Sequence, residues 1–265
     1  MGLLEEKSLW HHYKSKVWPE ESEQTHSLHS ILRTLRSIHG LGELAYISVP
    51  ITSGRVLYDE LNKTLIHPDS KDFLTGPASS AEKNTRVPRF KEIIKTVIAT
   101  NYAEGNEFLR DLQKRVQKPI LFPADLFPRG EKWSQDHFQA LWTSIIGELC
   151  TEIHMSKNWE YSNGAVEEFT HVYQLQLGIP HGVFGGNGGS PFFNTKQSEK
   201  ENRERMRNFK AYDHQGNNLS LEEGVKVVNT AITQIKTEGF NTHRLESARD
   251  LLIVTGEMIE NGFYQ

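Results

Sequence analysis

The sequence predicts an α/β protein in which a parallel β-sheet is flanked by helices, with helical additions at the N- and C-termini. Two observations predict this class. Short apolar runs rich in β-branched residues alternate with stretches of helical periodicity, and Gly, Pro and Ser punctuate the joints between them. Strands that alternate with helices are typical of parallel sheets, which bind ligands at the carboxyl ends of their strands. We therefore expect functional side chains at strand ends.

Four strands and the helices between them are predicted in chain order. The strands lie within residues 43–54, 118–127, 149–156 and 180–185. Helical spacing begins after the first strand and returns in residues 89–116, 134–149 and 165–177. Ser134 is the predicted N-cap of the helix in residues 134–149. Residues 66–88 are rich in Pro, Gly and Ser, which predicts a loop excursion.

The α/β domain is expected to span residues 43–190. Residues 1–42 precede it as a polar arm and an amphipathic docking helix, whose apolar face carries Leu28, Ile31, Leu32, Leu35 and Ile38. Residues 191–265 follow it as a charged linker and two C-terminal helices, the first opening with the capping box Ser220-x-x-Glu223.

Composition excludes several classes of function. The 265 residues include 30 basic and 34 acidic side chains, and a net charge of -4 disfavours nucleic-acid polymers as partners. No stretch has the apolar core of a signal peptide or approaches about eighteen consecutive apolar residues, so we expect a cytoplasmic protein without membrane association. The single cysteine, Cys150, lies in an apolar run and is interpreted as a packing residue.

Metal and cofactor sites are not expected. The closest histidine pairs, His11-His12 and His26-x-x-His29, lie in the polar arm, and the sequence contains no H-E-x-x-H motif. The glycine-rich stretch at residues 185–191 lacks the Lys and Ser/Thr of a P-loop, and Ser190 within it has no G-x-S-x-G context.

Three stretches remain as candidates for chemistry. "YISVPITSGR" (46–55) offers Thr52, Ser53, the Gly54 amide and Arg55 as donors suited to a phosphate; "SQDHFQALW" (134–142) and "YSNGAVEEF" (161–169) each begin a helix. The plain interpretations are an ordinary strand-helix turn and a solvated helical glutamate.

Taken together and in this order, the three stretches resemble the nucleoside 2-deoxyribosyltransferase superfamily. The resemblance is nearest to its 2′-deoxynucleoside 5′-phosphate N-hydrolases and to related uncharacterised bacterial and phage proteins. It covers residues 43–185 and lies in Tyr46 with its Gly-Arg loop, Gln135-Asp136, and Ser162-x-Gly164-x-x-x-Glu168. It implies a Rossmann-like, flavodoxin-like sheet and a homodimer.

The resemblance also implies roles for these residues. Glu168 is the expected nucleophile at C1′ of the sugar, since it holds the motif position that Glu167 misses by one residue. Asp136 is expected to help protonate the leaving base, and Tyr46 to contact the sugar and the nucleophile. The expected substrate-binding residues, several of them for a 5′-phosphate, are Thr52, Ser53, Gly54, Arg55, Ser162 and Gly164. The chain departs from the phosphate hydrolases at Thr52, where they carry an arginine, and at Val49-Pro50.

The expected function is cleavage of an N-glycosidic bond. The enzyme would be a hydrolase or deoxyribosyltransferase acting on a nucleoside or nucleoside 5′-monophosphate through a covalent glycosyl-glutamate intermediate, without a cofactor. Two alternatives stay open: a glycohydrolase of NAD-type dinucleotides on the same fold, and a non-catalytic nucleotide-binding or interaction module.

Overall fold

A computed structural model of the chain describes residues 23–40, 42–64, 90–126, 133–178 and 204–261. The helices with defined bounds in these ranges are α1 (Glu23–His39), α2 (Arg55–Thr64), α3 (Phe90–Leu112), α4 (Gln135–Leu149), α5 (Asn163–Gln176), α6 (Leu221–Thr237) and α7 (His243–Glu260). The strands are β1 (Leu44–Ser48), β2 (Ile120–Leu121), β3 (Cys150–Met155) and β4 (Lys210–Tyr212). Short 3-10 turns span Pro123–Asp125 and Trp159–Tyr161.

The strands form one parallel sheet in the order β2-β1-β3-β4. This confirms the predicted α/β, Rossmann-like arrangement of a parallel sheet flanked by helices. The chain leaves β1 for β2 on one side and then returns to β3 on the other side. The strand order therefore reverses between β1 and β3, which is where α/β sheets open a crevice for ligands.

Local sequence explains the central elements of the sheet. Every residue of β1 is buried, as expected for a strand covered by helices on both faces. Helix α4 begins where predicted, because the Ser134 hydroxyl accepts a hydrogen bond from the His137 amide. Helix α6 begins at the predicted capping box, with bonds in both directions between Ser220 and Glu223.

The sheet extends past the predicted boundary at residue 190. Its fourth strand is β4, which pairs with β3 and lies in the segment interpreted as a charged linker. Only Ala211 of β4 is buried, so the strand is too short and too polar to be recognised as an apolar run. Arg205 also anchors the charged segment, donating to the carbonyls of Gly147 and Cys150 at 2.7 Å. The predicted strand at residues 180–185 lies outside the described residues.

The terminal helices pack on this core. Helix α7 packs against α5 and α6, and Val228, Ile235 and Leu252 belong to the same buried cluster as the sheet. Helix α1 packs against α4 through Leu32, as the predicted docking helix should. Ile38, predicted on the same face, is 66% exposed because it lies at the end of the helix. None of the helices within the described ranges is both long and apolar enough to cross a membrane.

Candidate active site

Glu168 lies in the second turn of α5, with its carboxylate held against β1. Helix α5 starts behind Ser162, whose hydroxyl accepts the Ala165 amide at the N-cap. Tyr46 donates its phenolic proton to Oε1 of Glu168 at 2.9 Å, and Ser48 donates to Oε2 at 2.6 Å. Both oxygens are thus fixed, and the glutamate side chain is one of the few buried acids of the core.

Ser48 was not predicted, although the sequence contained a signal for it. Side chains two positions apart in a strand lie on the same face of the sheet, so a buried strand that presents Tyr46 to the site also presents Ser48. A small hydroxyl side chain two positions after Tyr46, in an otherwise apolar strand, is the pattern that could have identified Ser48.

The environment of Glu168 changes its acidity. Burial raises the pKa of Glu168 to about 7, although the hydrogen bonds from Ser48 and Tyr46 act in the opposite direction. The neighbouring charge of Glu167 raises it further. Burial and the charge of Glu168 raise the pKa of Tyr46 well above its ordinary value, so Tyr46 remains a proton donor. Glu168 can therefore exchange between acid and carboxylate near neutral pH.

Glu168 faces a cavity of about 520 Å³, which we call the main cavity because it contains this carboxylate; a larger and more open depression of about 890 Å³ lies between α6 and α7. Its volume is in the range of small-molecule sites. The hydroxyls of Ser53 and Ser162 are 2.9 Å apart and join the loop after β1 to the start of α5. The predicted site residues that line the main cavity are Tyr46, Thr52, Ser53, Ser162, Gly164 and Glu168.

Gly54 and Arg55 have structural roles besides the predicted ones. Gly54 adopts φ +82°, and a Cβ there would lie 2.7 Å from that of Pro50, so the turn itself requires glycine. The Arg55 guanidinium pairs with Glu238 at 2.6 Å and with Asp59 at 2.7 Å, on the wall of a separate cavity of about 220 Å³. Partial burial opposes its charge, but the bonds to Glu238 and Asp59 outweigh it and raise the pKa of Arg55. Arg55 is not among the residues that line the main cavity, so its contact with the substrate stays a prediction.

Helix α4 brings a residue to the site that the sequence analysis missed. Asp136 lies in the first turn of α4, but its side chain is outside the described part, so its catalytic role stays a prediction. Gln139, three residues further along, lines the main cavity and donates to the Gly164 carbonyl at 3.3 Å. The i, i+3 spacing from Asp136 was the available signal.

Aromatic side chains form much of the remaining surface of the main cavity. We call this set the aromatic wall: Tyr58, Phe90, Trp133, Phe138, Trp142 and Tyr161. The Phe138 ring stacks on Trp142 with centroids 6.3 Å apart and lies 5.4 Å from that of Trp133. Flat apolar surfaces of this kind suit a planar aromatic ligand. The segment Asn241, Thr242, Arg244 and Leu245 closes another side.

No family model matches the chain, and no curated protein or solved structure is detectably similar to it. The superfamily resemblance therefore stays an expectation carried by the motif residues. The two histidine pairs are not described at the level of their side chains, and the glycine-rich stretch at residues 185–191 and the excursion at 66–88 lie outside the described ranges.

Proposed function

We propose that the protein cleaves N-glycosidic bonds of nucleosides or nucleoside 5′-monophosphates, as a hydrolase or a deoxyribosyltransferase, with Glu168 as the nucleophile. One observation carries the proposal: a buried carboxylate, oriented by hydrogen bonds from Tyr46 and Ser48, faces a ligand-sized cavity. Buried acids commonly pair with a cation, whereas Glu168 is held by two neutral donors beside open space.

The proposed reaction has two displacements. A carboxylate oxygen of Glu168 attacks C1′, and the C1′–N bond breaks with its electron pair leaving on the base, which takes up a proton. The resulting glycosyl ester is then attacked at C1′ by water, or by the nitrogen of a second base; the attacking group releases a proton to solvent and Glu168 leaves as the carboxylate. The hydrogen bonds from Tyr46 and Ser48 hold the carboxylate in place while charge develops and disappears on it.

The other surfaces of the main cavity support a nucleoside as the ligand. The aromatic wall offers stacking partners for a base, and the Ser53 and Ser162 hydroxyls offer hydrogen bonds to a sugar or its substituent. Asp136 remains the proposed acid for the leaving base, from its place at the start of α4.

A comparison of the two adjacent glutamates tests the nucleophile. Glu168→Gln keeps the side-chain volume but removes the nucleophile, so base release should fall by on the order of 10³-fold or more. Glu167→Gln is the matched control, since Glu167 does not line the main cavity. The assay separates free base chromatographically after incubation with nucleosides, nucleoside 5′-monophosphates and NAD. Equal activity of the two variants would falsify the assignment.

The same assay separates the alternatives. Release of nicotinamide from NAD alone would replace the nucleoside with a dinucleotide as substrate. Tight nucleotide binding without turnover, unchanged in Glu168→Gln, would indicate a non-catalytic binding module.

A covalent glycosyl-protein adduct, seen as a mass increase with a nucleoside fluorinated at C2′ and absent in Glu168→Gln, is the expected positive result.

A further inference from the structure

The charges that face the main cavity point to an anionic ligand. Among its described lining residues, two carry charged side chains: Glu168 at the buried end and Arg244 on α7. Arg244 is exposed, so it lies where the cavity meets solvent. The C-terminal helices thus place a cation at the entrance of a site whose reactive carboxylate lies inside.

Arg244 differs from Arg55 in its availability. Arg55 is bound to Glu238 and Asp59, and its charge serves to connect α2 with the end of α6. Within the part of the chain that the structure describes, Arg244 makes no ion pair. A guanidinium without an ion pair keeps its donors for a ligand and can bind a phosphate in a bidentate manner.

The surroundings of Arg244 favour the same charge. It lies in the first turn of α7, where helix amides and the helix dipole contribute positive potential to a nearby anion. Thr242 and Asn241, beside it, add polar groups to the same wall. Asn241 Oδ1 accepts the His243 amide, and Glu246 of the same turn is paired with Lys236. The Arg244 guanidinium is therefore the group of this turn that distinguishes a charged ligand from a neutral one.

We propose that Arg244, contributed by the C-terminal helices, is the residue that recognises an anionic group of the substrate and makes the site specific for phosphorylated nucleosides. The proposal rests on the proposed function for the position of the sugar, but the binding step it describes is independent of catalysis. It moves anion recognition from the loop after β1 to a helix far along the chain.

The experiment measures binding to the inactive Glu168→Gln protein by calorimetry. The probes are nucleosides and their 5′-monophosphates with adenine, guanine, cytosine, uracil and thymine. Glu168→Gln should bind at least one monophosphate about 10- to 100-fold more tightly than its nucleoside, and adding Arg244→Ala should remove that preference while leaving nucleoside affinity unchanged. Arg244→Lys should restore part of it.

An arginine outside the main cavity provides the control. Arg110→Ala removes an exposed arginine of α3 that does not line the main cavity, and it should change nothing. The inference is overturned if no monophosphate is preferred, or if the preference survives Arg244→Ala in a protein with an unchanged circular dichroism spectrum. If binding depends on Arg244 but the wild-type protein, which retains Glu168, releases no base, the proposed function is rejected and the inference about Arg244 stands. Base release that ignores the phosphate would reject the inference alone.

Discussion

The ionised form of Glu168, which the proposed reaction requires, lowers the stability of the fold. Its pKa of about 7 in the folded protein lies above its ordinary value of 4.5, so the folded state holds the proton more tightly than the unfolded chain. The stability that this provides is fully present below the unfolded pKa and is lost as the pH rises through the interval from 4.5 to about 7. The proposed nucleophile is therefore ionised at the expense of the fold.

Replacing Glu168 should stabilise the protein where the wild type carries the charge. We expect Glu168→Gln to raise the free energy of unfolding by about 1–3 kcal/mol at pH 8 and to have little effect at pH 4. Urea denaturation at both pH values measures the difference. Glu148, which burial also brings to a pKa of about 7, is present in both proteins and cancels from the comparison. Parallel pH dependences of the two proteins would contradict the account.

The two donors to Glu168 should set the pH at which it ionises. Each hydrogen bond favours the carboxylate, so Ser48→Ala and Tyr46→Phe should raise the pKa of Glu168 and move the acidic limb of the kcat/KM profile about one pH unit higher. Glu167→Gln removes a like charge and should move the limb to lower pH. A limb that stays fixed in all three variants would show that Glu168 is not the titrating group.

Sequence reasoning identified residues whose roles depend on local context. Tyr46, Ser162 and Glu168 were found because strand ends and helix starts are local patterns, and such patterns converge at one edge of a parallel sheet. The ion pair of Arg55 was not predicted, because its partner Glu238 lies 183 positions further along the chain. No local pattern records an ion pair of that span, so the charge of Arg55 looked available.

At the scale of elements, the contact between α6 and α5 depends on one glycine. A Cβ on Gly224 would meet the ring of the buried Phe169, with the Cζ atom 2.7 Å away. Neither a helix backbone nor a packed aromatic ring can move at low cost. The absence of a side chain at residue 224 therefore sets how closely the C-terminal helices approach the core.

Gly224→Ala should reduce the free energy of unfolding by about 1–3 kcal/mol, in spite of the higher helix propensity of alanine. Thr230→Ala, on the exposed side of the same helix, is the control and should change stability by less than about 0.5 kcal/mol. Thermal or urea unfolding of both variants provides the measurement. A Gly224→Ala protein more stable than the wild type would mean that α6 does not pack as described.

Strands and helices with a clear apolar pattern were predicted from the sequence, and the strand without one was not. The strands β1, β2 and β3 lie within apolar runs and were predicted from them. Helices α4 to α7 were predicted from helical spacing and caps. β4 was missed because a strand of three residues with one buried side chain has no period to detect. It is held in the sheet by its neighbours, which only the folded chain reveals.

At the scale of the whole molecule, the described residues 204–261 belong to the core. β4 completes the sheet, and α6 and α7 bury Val228, Ile235 and Leu252 in its main cluster. We therefore expect a chain that ends at residue 190 to lack a cooperative unfolding transition, because β3 loses its neighbour and α5 loses its cover. Circular dichroism during thermal unfolding tests this. A sharp transition in the shortened chain would instead support an independent domain over residues 43–190.

The segment Asn241–Leu245 also has a consequence for the order in which the protein becomes functional. Domains form from the N-terminus as a chain leaves the ribosome, and Glu168 emerges well before α7. A wall of the main cavity is supplied by α7, which is translated after Glu168. A ribosome-bound chain in which α7 is not yet translated therefore holds the carboxylate but not the complete pocket, so the site is assembled only after α7 has emerged.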